Sequence, residues 1–154
     1  EQIDYARAFC SMAGLPFLLG CVGERQAMPR STRLVCLGIL ATLCHNNPPV
    51  QKQLLELGAI RILSELYFQE ENDTNDADGL LRSRILQAIS ASVRSHELAE
   101  AVYCQLDQAV PLLEHGLGVG DSTTPPVLLT RALFFLRALV TSDTATRARV
   151  RQYT

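Results

Sequence analysis

The stretch "LELGAIRILSEL", Leu55 to Leu66, decides the fold. Both of its halves read as helix, yet Gly58 stands between them. A glycine inside a helix costs about 1 kcal/mol against alanine. The position is therefore better read as a joint, where one short helix ends and another begins at an angle. Glycine suits such a joint because it accepts left-handed backbone angles and close approach. Gly58 is accordingly expected at a packed junction between helices. In "IRILSELY", Ile60, Leu63, Leu66 and Tyr67 share one helical face, and Arg61 and Glu65 lie on another.

The joint recurs. "AGLPFLL" (Ala13 to Leu19), "GAIRILS" (Gly58 to Ser64) and "QAVPLLE" (Gln108 to Glu114) superpose, so that Leu15, Ile60 and Val110 correspond at spacings of 45 and 50 residues. Gly14 falls at the first joint. The third copy has Asp107-Gln108 instead, and Asp107 is expected to cap the helix that follows. Behind each copy comes a further helix, led by Arg33, Arg84 or Arg131: "RLVCLGILATLC", "RILQAISASVR" and "RALFFLRALV". A period in the forties built of short helices marks armadillo or HEAT repeats. The uneven period is absorbed by "QEENDTNDADG", Gln69 to Gly79, which reads as a solvated acidic loop. "NPPV" (Asn47 to Val50) and "TPPV" (Thr124 to Val127) each offer a cap followed by prolines in a first turn. Sustained period-two alternation is absent, so strands are not expected. The expected fold is all-α: a right-handed armadillo/HEAT-like solenoid of about three repeats and a partial fourth, forming one domain over residues 1–154.

Composition narrows the function. The 154 residues are 47% apolar with a net charge of −2, which does not favour nucleic acid or an anionic membrane. No apolar run approaches the roughly 20 residues of a membrane span. The chain opens at Glu1 rather than Met and is expected to be a piece of a longer protein. Cys10, Cys21, Cys36, Cys44 and Cys104 are odd in number and lack a CxxC pair. They read as structural thiols in a reducing compartment, not as a disulfide framework or zinc site.

His45, His96 and His115 are scattered and have no ligand-spaced partners, so no metal site is expected. Cys44-His45 are sequence neighbours and do not face each other on a helix. A calcium loop centred on Gly79 would place Thr74 and Ile85 at positions that need an acid and Glu. Arg131, Arg137, Arg147, Arg149 and Arg151 make the C-terminal end basic. The single lysine argues against a nucleic-acid patch, while an acidic protein partner stays open. No catalytic constellation, enzyme activity or cofactor is expected.

Stacked helical repeats offer a curved surface for a macromolecular partner. An asparagine ladder for extended peptides is not expected: Asn46, Asn47, Asn72 and Asn75 all fall in predicted loops, and Trp is absent. "IDYARAFCSMAGLPFLLG", "NNPPVQKQLLELGAIRIL" and "RILQAISASVRSHELAEAVYCQL" together resemble the armadillo-type nucleotide-exchange factors of 70-kDa heat-shock chaperones, the 70-kDa heat-shock protein-binding protein family. The similar parts are Asp4, Ala6, Phe9 and Cys10 near the start, "VQ-x-Q-x-L-x-LGA" in the middle, and Ala88 to Arg94. The chain stops at Thr154, inside an apparent fourth repeat where family members continue.

The resemblance implies a monomeric co-chaperone in the cytoplasm, or alternatively the endoplasmic-reticulum lumen. Its concave face would grip the chaperone's nucleotide-binding domain and promote ADP release. The residues implied for that contact are Arg61, Glu65, Glu114 and His115 on groove-lining helices, with Arg33, Arg84 and Arg131 as a basic row at matching helix starts. The alternative is an armadillo scaffold or adaptor for another protein.

Overall fold

A computed structural model describes residues 2–71, 76–121 and 123–153. Among the described residues there are ten helices and no strand. They are α1 (Gln2–Ser11), α2 (Gly14–Gly23), α3 (Arg30–Cys44), α4 (Pro48–Glu56), α5 (Ala59–Glu71), α6 (Leu80–Val93), α7 (Glu97–Cys104), α8 (Ala109–Gly116), α9 (Pro126–Thr141) and α10 (Arg147–Gln152). The all-α expectation holds. The helices recur as three triplets, and α10 follows against α9. Equivalent helices touch from one triplet to the next: α1 on α4 on α7, α5 on α8, and α3 on α6 on α9.

α6 is the centre. It packs most closely against α3, α5 and α9, and Ile85, Leu86, Ile89 and Val93 are fully enclosed. Small residues are buried along all three of the stacked helices: Ala41 on α3, Ala88 on α6 and Ala132 on α9. α4 starts at two prolines, where a missing N–H removes no intrahelical bond. Asn47 stands at its N-cap, but its side chain makes no capping bond. α9 starts at Pro126, with Pro125 rather than Thr124 at the cap. α8 opens at Gln108 without a side-chain cap, so the expected role of Asp107 is not realised.

The joints are built differently from the sequence expectation. Ala13, not Gly14, takes the left-handed conformation between α1 and α2, with φ of 60°. It is the counterpart of Gly58, whose φ is 69°. Gly14 serves close approach instead: a Cβ there would run into the Phe9 ring. Gly58 itself is exposed, and a Cβ would meet no atom within 4 Å. It is required for its backbone angle, not for packing. Gly79, expected in a solvated loop, is the crowded one. Its φ is 66°, it is buried, and a Cβ would lie 2.9 Å from Pro125 Cγ.

The acidic stretch is likewise no free loop. Residues 72–75 lie outside the described residues, but Glu70 and Asp76 on either side are each 1% exposed. Glu70 accepts from Arg33 Nη2 at 2.5 Å and Arg25 Nε at 2.8 Å, while Arg33 Nε donates to the Val22 carbonyl. Asp76 accepts from the backbone N–H groups of Leu81 and Arg82, from Arg82 Nε at 2.9 Å and from Arg30 Nη2 at 3.2 Å. It thereby caps α6 from outside the helix. A third buried carboxylate, Glu100, accepts from Arg149 Nη1 at 2.7 Å, from Ser142 Oγ and from Thr144 Oγ1. Gln51 on α4 donates to the carbonyls of Ala91 and Arg94, which end α6 without intrahelical partners.

All five cysteines are free thiols; Cys21, Cys36 and Cys44 are buried, and Cys10 and Cys104 half-buried. Burial, with a smaller contribution from Cys10, pushes the Cys44 thiol up to about 12.

Three outcomes follow from this packing. Gly79→Val should lower stability by about 3 kcal/mol or more, combining overpacking with left-handed strain, and Gly58→Val by about 1–2 kcal/mol from strain alone. Urea midpoints of the two variants check the order. Arg33→Met should lose about 3–5 kcal/mol by leaving Glu70 short of its inner partner, whereas exposed Arg61→Met should stay within about 0.5 kcal/mol. The Cys44 pKa is raised above its ordinary 9.0, so the unfolded chain ionises first. Its stabilising contribution is complete below pH 9 and is lost as pH rises toward 12. The urea midpoint of the parent should therefore fall more steeply than that of Cys44→Ala between pH 9 and 11.

Candidate partner-binding surface

The seven residues singled out by sequence separate into three groups. Arg61 and Glu65 project from α5 and Glu114 from α8, all exposed. α5 buries Ile60, Leu63, Ser64 and Tyr67 toward α6 and its neighbours, so Arg61 and Glu65 point away from α6. His115 on α8 is turned inward. Its Nδ1 lies 2.9 Å from Tyr67 Oη and its Nε2 3.0 Å from Glu71 Oε1, which ties α8 to α5. Arg33 is 3% exposed and engaged with Glu70.

Arg84 and Arg131 form the third group and do come to one face. Neither stands at a helix start: α6 begins at Leu80 and α9 at Pro126. Both are half-buried on the side of the α3–α6–α9 layer that α5 does not cover. Arg84 Nη1 donates to Gln87 Oε1 at 3.0 Å, which leaves the Gln87 amide nitrogen free to donate outward.

This layer has a plain chemical character. α3, α6 and α9 together contain no Asp or Glu. Their exposed stripe presents Val35 and Ile39 from α3, Arg84 and Gln87 from α6, and Arg131 and Phe134 from α9. Two clefts run along it and meet at Gln87. One, of about 360 Å³, lies between Val35, Ile39 and Arg84. The other, of about 220 Å³, is walled by His45, Ser90, Arg94, Arg131 and Phe134. The Arg94 guanidinium carbon sits 4.8 Å from the centre of the Phe134 ring, a cation–π distance. A positive surface interleaved with apolar side chains suits a partner that offers carboxylates beside apolar groups.

Sequence pattern did not single out Arg94, Gln87 or Phe134. Phe134 and Phe135 read as one apolar run, yet Phe135 is fully buried and Phe134 is 49% exposed. The signal was present in the spacing. Leu128, Ala132, Phe135 and Leu139 form the buried stripe, which places Phe134 with Val127 and Arg131 together along one flank of it. The basic C-terminal end also resolves into separate roles: Arg149 is tied to Glu100, whereas Arg137, Arg147 and Arg151 are exposed.

Among the described residues no three His, Cys, Asp or Glu side chains converge to hold a metal ion. No single helix among them is long and apolar enough to cross a membrane.

No protein-family profile matches the chain, and no solved structure matches it. Over 107 residues, 70% of its length, it is 33% identical to Hsp70-binding protein 1 of Rattus norvegicus, with the same identity and coverage for the proteins of that name from Mus musculus and Homo sapiens. The chain spans 28% of the length of these curated relatives. The matched relatives are named as proteins that bind Hsp70.

Proposed function

We propose that this chain is an armadillo-type co-chaperone module. Its α3–α6–α9 face grips the nucleotide-binding domain of a 70-kDa heat-shock chaperone and promotes ADP release. The observation that carries the proposal is the 33% identity to Hsp70-binding protein 1 over 107 residues. The triplet stacking supports the armadillo-type solenoid, with the acid-free layer as its inner, concave side. In this reading Arg84 and Arg131 contact the chaperone, Arg33 and His115 hold the scaffold, and Arg61, Glu65 and Glu114 face away. The module acts as a monomer in the cytoplasm, where its free thiols stay reduced.

The mechanism is differential affinity. The module makes and breaks no bond. It accelerates ADP loss only if it binds an ADP-poor conformation of the chaperone more tightly than the ADP-bound one. Moving such an equilibrium from 1:99 to 99:1 takes about 5.5 kcal/mol of difference in binding. A preformed cationic and apolar face supplies that difference when the partner's complementary surface is arranged in one conformation and dispersed in the other.

Release of a fluorescent ADP analogue from a 70-kDa chaperone tests this. The parent chain should speed release, and Arg84→Glu with Arg131→Glu should reduce the effect about tenfold or more, most strongly at low salt. Arg61→Glu with Glu65→Arg should leave it unchanged. Circular dichroism should be the same for all three. A parent chain that neither binds the chaperone nor accelerates release overturns the proposal; equal loss in both double variants overturns the choice of face.

A further inference from the structure

We infer that the cleft between α3, α6 and α9 seats a carboxylate side chain of the partner protein, held between Arg94 and Arg131. This rests on reading the α3–α6–α9 face as the partner-binding one.

Several polar groups around the cleft have donors to spare, beside the His45 ring at its wall. Ser90 is 6% exposed, and its buried Oγ has no hydrogen-bond partner. Arg94 Nε is buried and equally unpartnered. The Gln87 carbonyl oxygen already accepts from Arg84, so the amide nitrogen is what Gln87 has left to offer. No ion pair engages Arg131 or Arg94 among the described residues, in contrast to Arg25, Arg30, Arg33, Arg82 and Arg149. Unpaired buried donors are expensive, and an unpaired guanidinium at a cleft wall is more so.

Geometry sets the size of the occupant. The cleft holds about 220 Å³, enough for one acidic side chain. Arg94 and Phe134 line the cleft together, with the guanidinium carbon 4.8 Å from the ring centre. A planar carboxylate can accept from guanidinium groups on either side while its methylene stem rests against the Phe134 ring. The helices that build the walls carry no acid; Glu97, Glu100 and Asp143 line the adjoining cleft that Arg94 shares, and none of them forms an ion pair with it.

Nitrogen-15 NMR of the arginine Nε–Hε groups tests the inference without the chaperone. Titration with a hexaglutamate peptide should move the Arg94 and Arg131 signals saturably, leave Arg61 in place, and lose affinity about tenfold in Arg131→Gln. Ser90→Ala, which removes the buried hydroxyl without touching the charges, should weaken binding by a smaller factor. No shift, or equal shifts at Arg61 from general charge screening, overturns it. Tighter binding of inorganic phosphate than of the peptide also overturns it, because the site would then be built for a phosphoryl group. In parallel, the parent and Arg131→Gln chains are titrated with the chaperone nucleotide-binding domain. Peptide binding without chaperone binding keeps the carboxylate cleft and removes the chaperone reading. Chaperone binding that Arg131→Gln leaves intact, with no response to the peptide, does the reverse.

Discussion

Three enclosed carboxylates hold the successive helical triplets in register. Glu70, Asp76 and Glu100 are each 2% exposed or less, and each is reached by an arginine from far along the chain: Arg33 at a separation of 37 residues, Arg30 at 46, and Arg149 at 49. A buried carboxylate with too few donors is strongly destabilising, so each bond also acts as a condition on where the neighbouring helix sits. Apolar stacking between α3, α6 and α9 alone would tolerate sliding. A guanidinium that must meet a fixed carboxylate does not. The hydrogen bonds of Gln51 to the end of α6 and of Tyr103 to the Ala109 carbonyl add directional ties of the same kind.

The same three pairings explain the chemistry of the exposed layer. The chain as a whole carries a net charge of −2, yet its three longest stacked helices have no acid among them. The acidic side chains that meet this layer come from α5, from the turn before α6 and from α7, and they engage arginines on the buried side or at its edges. What stays on the open side is arginine, glutamine and apolar surface. Charge of one sign gathered in shallow clefts acts over a distance of about 8 Å at physiological salt, far enough to orient an approaching acidic surface before contact.

The periodic part of the fold was legible and its special positions were not. Repeats of Leu15, Ile60 and Val110 announced the stacked helices, because burial on one face imposes a spacing that any reader can count. The backbone requirement at the joints was read from glycine, and there the inference slipped. Ala13 occupies the left-handed position in the first triplet, Gly58 in the second, and Gln108 stays right-handed in the third. Glycine therefore marked possibility, while the surrounding packing decided use. The acidic stretch failed for a related reason. Glu70 and Asp76 look solvated by composition, and only the arrival of arginines from the preceding triplet makes their burial affordable. Among the residues singled out, Arg84 and Arg131 share one face although neither stands at the helix start the repeat suggested, and the burial of Arg33 depends on Glu70 beyond its own helix.

The central placement of α6 has a consequence for motion. It is enclosed by α3, α5 and α9, whereas α1 and α10 are each covered by fewer neighbours. Opening free energy should therefore rise from both ends toward the middle, with amide exchange slowest in α6 and fastest at the flanks. Gln87 and Arg84 sit on that most protected helix. The middle of the exposed face is then the part that loses least freedom when a partner arrives, and the rims are the part that can still adjust to its shape.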